Sequence, residues 1–153
     1  MAAAAVERLE ALLGVGSAIM VATRDERNHP HVTRGWGGRI DPATGRLDLA
    51  ITVSDDLRVV ADIEANGAVA VTLVRPTNYL AMQLTGVVEW IGDISPADQQ
   101  RIDEHIERFV GEVMTTGMPP SVRLIAGDRF VAIRIAMQRF FEQTPGPKAG
   151  GTL

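Results

Sequence analysis

The residues of this chain able to do chemistry are scattered, and their spacing excludes more reactions than it supports. There is no cysteine among the 153 residues, so thiolate nucleophiles, disulfide frameworks and thiolate metal sites are excluded. Ser17, Ser54, Ser95 and Ser121 have no surrounding G-x-S-x-G elbow. The carboxylates are spread over helix faces and turns, without a glycosidase-like pair. His29 and His31 flank Pro30 and could share a metal, but no further ligand is grouped nearby, so no metal site is expected. Gly35-Trp36-Gly37-Gly38 lacks the lysine and hydroxyl of a phosphate loop. Arg34 opens that glycine-rich stretch. A ligand approaching the backbone would account for it, and so would an ordinary bend of a barrel strand. Arg58 stands beside Asp55 and Asp56, where an anion contact and a solvated ion pair are both open readings.

The elements that must position these residues can be read from periodicity. Val6 to Leu13 has helical spacing, and residues 1–14 are expected as an N-terminal helix ended by Gly14. Gly16–Arg24 is a dense β-type run, and Asp25–Pro30 is a hairpin loop into a strand from His31 to Ile40. After the Asp41–Gly45 turn, Leu47, Leu49, Ile51 and Val53 alternate on one face. Ser54-Asp55-Asp56 suits a helix cap before Leu57–Asn66. Ala68–Val74 is nearly continuously apolar, which predicts burial on both faces. Tyr79–Ile91 reads as a long strand with a bulge at Gly86.

Ser95-Pro96-Ala97-Asp98 is a strong helix start, followed by an apolar stripe of Ile102, Ile106, Phe109, Val110 and Val113. His105 is expected in solvent. Asp128–Phe141 is the last strand, and residues 143–153 form an irregular tail. The order is helix, three strands, helix, two strands, helix, strand. It predicts a single α+β domain over 1–153, an antiparallel six-stranded barrel with flanking helices.

The hydrophobic fraction is 46% and the formal net charge is −4, without a basic run. That balance argues against nucleic acid or an anionic membrane surface as partners. The alanine-rich start lacks a basic leading region and is interrupted by Glu7 and Glu10, and no stretch approaches a membrane span. The expected location is the cytoplasm.

Several short segments then narrow the barrel. Ala22-Thr23-Arg24-Asp25 followed by Pro30-His31-Val32-Thr33-Arg34 resembles the opening hairpin of the pyridoxamine 5'-phosphate oxidase superfamily. Thr52-Val53-Ser54, Leu57-Arg58 and Asp62-Ile63-Glu64-Ala65-Asn66 resemble its strand-to-helix segment, and Gly67–Leu73 its next strand. Pro76-Thr77, Gln83-Leu84 and Gly86 are similar to the strand after that, and Gln143-Thr144-Pro145-Gly146-Pro147 with Ala149-Gly150 to the ending of small bacterial members.

The resemblance implies an FMN-binding split barrel, a homodimer with flavin at the subunit interface, and a redox reaction on a small-molecule substrate. It places the FMN phosphate near the start of the helix after the third strand, where free N–H groups and an arginine suit an anion. The implied cofactor residues are Arg58, with Thr52 and Ser54 as hydroxyl donors, Arg34 on the second strand, and Gln83 toward the isoalloxazine ring. Trp36 would stack on the flavin or, by preference, pack in the core or an interface. No catalytic residue is implied. Related split barrels hold deazaflavin F420 or haem, and the Asp55-Asp56 pair, with Val59 where the family often has lysine, keeps those ligands or none as the alternative.

Overall fold

The computed structural model describes residues 3–53 and 57–153. Six strands, β1 (Ala18–Arg24), β2 (Pro30–Ile40), β3 (Leu47–Thr52), β4 (Ala68–Val74), β5 (Ala81–Gly92) and β6 (Phe130–Glu142), close a barrel in the order β1-β2-β3-β6-β5-β4. Every neighbouring pair is antiparallel. The period-two alternation read from the sequence is what fills it. Ile19 and Val21, Leu49 and Ile51, Val69 and Val71, Met82 and Leu84, and Ile133 and Ile135 all belong to one buried cluster.

Helices close the two ends. Helix α1 (Ala3–Gly14) inserts Leu9, Leu12 and Leu13 into that cluster, and helix α2 (Arg58–Asn66) inserts Val59 and Ile63. Gly67, in the left-handed region at φ 69°, ends α2, as a glycine stop should. Helix α3 (Pro96–Met114) starts at a capping box formed by Ser95 and Asp98. It packs outside β2 and β3 over a second cluster built on Trp36, Ala50, Ile102, Phe109 and Val110. A short 3₁₀ segment, Pro120–Ala126, leads into β6.

The structure departs from the sequence-based expectations, or adds to them, at several places. The β5 strand begins at Ala81, because Tyr79 takes φ 58° in the preceding turn. The β4 strand is buried on its inner face only; Ala68, Ala70, Thr72 and Val74 remain partly exposed on the outer one. The segment after Glu142 is irregular but pinned: Glu142 and Gly151 pair through their backbones, Leu153 donates to the Phe140 carbonyl, and Thr152 bridges Phe141. His105, expected in solvent, is 1% exposed. The bulge expected at Gly86 is there, where the β5–β6 register shifts between Thr85 and Gly86.

Candidate functional site

The barrel is split between β2 and β3. Their ladder runs through Trp36↔Ala50 and Gly35↔Ile51 and stops. Pro30 to Arg34 keep their partners on β1 but have none on β3. Where the ladder ends, beside the start of α2, lies a cleft with a cavity volume of ≈ 280 Å³, walled by Pro30–Thr33, Thr52, Val53 and Arg58–Val60. This is the place where a β-strand edge, a helix start and an arginine meet.

The sequence-predicted residues fall into three positions. Arg58 and Thr52 both line this cleft. Arg34 lies just outside it, on the outer face of β2, with its guanidinium 6.0 Å from the Phe109 ring centroid. Burial holds that guanidinium below its ordinary arginine value. Gln83 is elsewhere on the outer surface, where its amide donates to Thr72 Oγ1 at 3.0 Å. One transverse row relates it to Arg34, since Arg34 faces Met20, Met20 faces Thr72, and Thr72 faces Gln83. Ser54 lies outside the described residues.

The hydroxyl of Thr52 is engaged by the fold. It donates to the Ala126 carbonyl at 2.7 Å and accepts from Trp36 Nε1 at 2.9 Å. Thr33 similarly donates to the Thr52 carbonyl at 2.6 Å, bridging the split where the ladder has ended. Trp36 is 2% exposed and packs edge-on to Phe109 at 5.5 Å, so it fills the α3 interface.

Three residues that sequence reasoning left unassigned meet beside the cleft, and one of them, His31, lines it. Thr23 and His31 face each other across the β1–β2 ladder. Asp62 of α2 accepts from Thr23 Oγ1 at 2.7 Å and meets His31 Nδ1 at 2.7 Å. His29, by contrast, is exposed and pairs with Asp25 at 3.0 Å, so the two histidines take different carboxylate partners. Among the described residues no three His, Asp or Glu side chains are grouped to hold a metal. Asp62 carried a sequence signal: it stands three residues after Val59 and beside Ile63, on the buried face of its helix.

A larger cleft of ≈ 400 Å³ lies on the other side of α3, with Arg39, Arg101 and Arg134 in its wall. Its arginines are already paired. Arg39 and Arg134 share Asp48, and Arg101 pairs with Asp98. None of the sequence-predicted cofactor residues lines it.

No family model matches the chain, and no curated protein matches it in sequence. Solved structures do. An F420 reductase superposes with a TM-score of 0.56, with 22% identity over 86% of this chain and 94% of that one. A putative pyridoxamine 5'-phosphate oxidase from Listeria innocua gives 0.52 at 14% identity, covering 90% and 97%. An FMN-binding protein from Syntrophomonas wolfei gives 0.52 at 8% identity, covering 90% and 85%. Among the described residues no helix is long and apolar enough to cross a membrane. The chain has the split-barrel fold of the pyridoxamine 5'-phosphate oxidase-like and FMN-binding proteins.

Proposed function

We propose that this protein is an FMN-binding flavoprotein of the cytoplasm, an oxidoreductase of the pyridoxamine 5'-phosphate oxidase-related type that acts on a small molecule. The observation that carries the reading is the cleft at the β2–β3 split, with Arg58 at the first position of α2. The donor set there suits a phosphate: a guanidinium, helix-start N–H groups and an imidazole within one small concavity. Arg34, on the outer face of β2 beside the split, would face a ring system extending out of it. Bound flavin would supply the redox chemistry, and the chain would supply position, charge and exclusion of water.

Dimerisation belongs to the same reading. The outer face of β1, β4 and β5 carries Met20, Ala22, Ala70, Thr72 and Gln83, only partly buried, with Arg34 at one end of the row. A sheet face of small and apolar residues that stays partly exposed among the described residues suits a second copy of the chain. The cofactor would then sit at the subunit interface, between the β2–β3 split and the partner. Deazaflavin F420 is the second reading, favoured by the likeness to an F420 reductase.

The absorption spectrum of the protein as purified, with calorimetric titration of FMN, F420 and haem, tests both. FMN should bind and raise the unfolding temperature, as any ligand specific for the native state must. A colourless protein that binds no FMN would overturn the flavin reading. Preferential binding of F420 would replace it with the second, and binding of haem alone would exclude both.

A further inference from the structure

We infer that His31 is a phosphate-binding residue of the β2–β3 cleft, oriented for that role by Asp62 and Thr23; the inference rests on the flavin-phosphate reading above. The starting observation is a carboxylate where the fold does not need one. Asp62 is 4% exposed and lies on the face of α2 that also buries Val59 and Ile63. Removing a carboxylate from water costs several kcal/mol unless its partners are well placed. An apolar side chain at this position would close the barrel end as Val59 and Ile63 do. What the carboxylate adds is orientation of two polar side chains from the facing strands, the Thr23 hydroxyl and the His31 ring, each at 2.7 Å.

The ring is thereby fixed at one nitrogen. Its side chain is 16% exposed, and it lines the cleft. With Nδ1 held by Asp62, Nε2 is the nitrogen His31 offers to a ligand. A ring held at Nδ1 by the carboxylate presents its Nε2 edge to a phosphate oxygen, and hydrogen bonds to charged groups are the stronger kind.

The neighbours leave this task to His31. Thr33, the next residue on that face of β2, gives its hydroxyl to the Thr52 carbonyl. Thr52 gives its own to the Ala126 carbonyl. Val59, next to Arg58, belongs to the barrel core. Arg58 and Asp62 are one turn apart on α2, and Arg58 lines the same cleft as His31. A phosphate between Arg58 and His31 would be held by both. His31 would then be a binding residue, and Asp62 and Thr23 positioning residues.

The test compares FMN with riboflavin, which has the same ring system and no phosphate, and uses inorganic phosphate as a third probe. In His31→Ala, FMN affinity should fall about ten- to hundredfold, the range of one lost bond to a charged group, while riboflavin affinity stays unchanged. Asp62→Asn should lower the ratio of FMN to riboflavin affinity in the same direction but by less. His31→Gln, which keeps a donor for buried Asp62 and so guards against loss of the fold, should show the same selective loss.

Unchanged FMN affinity in both His31 variants would overturn the assignment, and so would an equal loss for FMN and riboflavin, since a purely structural role moves both. If the wild-type protein binds no flavin yet binds inorganic phosphate in a His31-dependent way, the flavin reading fails and this inference stands. If it binds neither, both are overturned.

Discussion

At the residue scale, His105 shows how an imidazole can be wholly structural. Its Nδ1 accepts from the Gly37 amide at 2.9 Å and its Nε2 lies 2.8 Å from the Ser17 carbonyl, which it meets as a donor. Both nitrogens are used and the ring is neutral. Burial pushes the imidazole down from 6.5 to about 4. The unfolded chain therefore binds a proton between about pH 6.5 and 4 that the folded chain does not, so stability is full above 6.5 and lost as pH falls through that window. The maximum effect is about 3 kcal/mol by linkage. Urea melts across this range should slope downward toward acid for the wild type, and less steeply for His105→Gln. Thr52→Val is the companion case. It removes an acceptor for buried Trp36 Nε1 and a donor to Ala126, and should cost about 1–3 kcal/mol in a chemical melt. His105 was legible in the sequence after all: it stands three residues after Ile102 and four before Phe109, on the apolar stripe. The contact between His31 and Asp62 was not. They are separated by 31 positions and meet only because α2 closes the end of the barrel that β1 and β2 form.

At the element scale, glycine and one ion pair decide how helices sit on the barrel. Gly37 has φ 63° within the irregular part of β2, between Trp36 and Arg39. A Cβ there would come within 2.9 Å of the Ile102 backbone nitrogen in α3. The bulge puts Trp36 under α3 and Gly37 against it, and His105 takes up the amide it leaves unpaired. Gly37→Ala combines an unfavourable backbone with a backbone clash, and should cost about 2–4 kcal/mol in thermal or chemical unfolding. The sequence showed an unusual strand here but not which way its residues turn, because a bulge breaks the period of two on which facing is read. Arg8 of α1 donates to Glu142 of β6, to Thr144 and to the Ala81 carbonyl. The hydrogen bonds from Arg8, then Thr144, hold the Glu142 carboxyl down from 4.5 to about 2. This group contributes stability that is present above about 4.5 and lost as pH falls toward 2. Arg8→Ala should weaken the docking of α1 and shift the acid-unfolding midpoint upward, read by circular dichroism against pH.

At the scale of the whole molecule, the inside of the barrel was legible and its outside was not. Alternating apolar residues report which face is buried in the core, yet they cannot report whether the other face is covered by a helix, a second chain or water. The β4 strand makes the point, since Ala68–Val74 reads as buried on both faces while the chain covers only one. The small outward residues Ala22, Ala70 and Thr85 lie close together, Ala22 facing Ala70 and Ala70 facing Thr85 across the ladders. Thr85 Oγ1 is buried there without a partner, an arrangement that natural surfaces rarely leave uncompensated. If a second copy covers this face, a charge at its centre should separate the subunits. Ala70 points outward, so Ala70→Arg leaves the core packing of Val69 and Val71 intact. The variant should unfold within about 0.5 kcal/mol of the wild type once both are monomeric, as outward surface changes do. Sedimentation should give a dimer for the wild type and a monomer for Ala70→Arg. Flavin affinity should fall together with dimerisation if the partner completes the site. A wild-type monomer, or a monomeric variant with undiminished flavin affinity, would place the whole cofactor site within one barrel and leave the β2–β3 split to hold it alone.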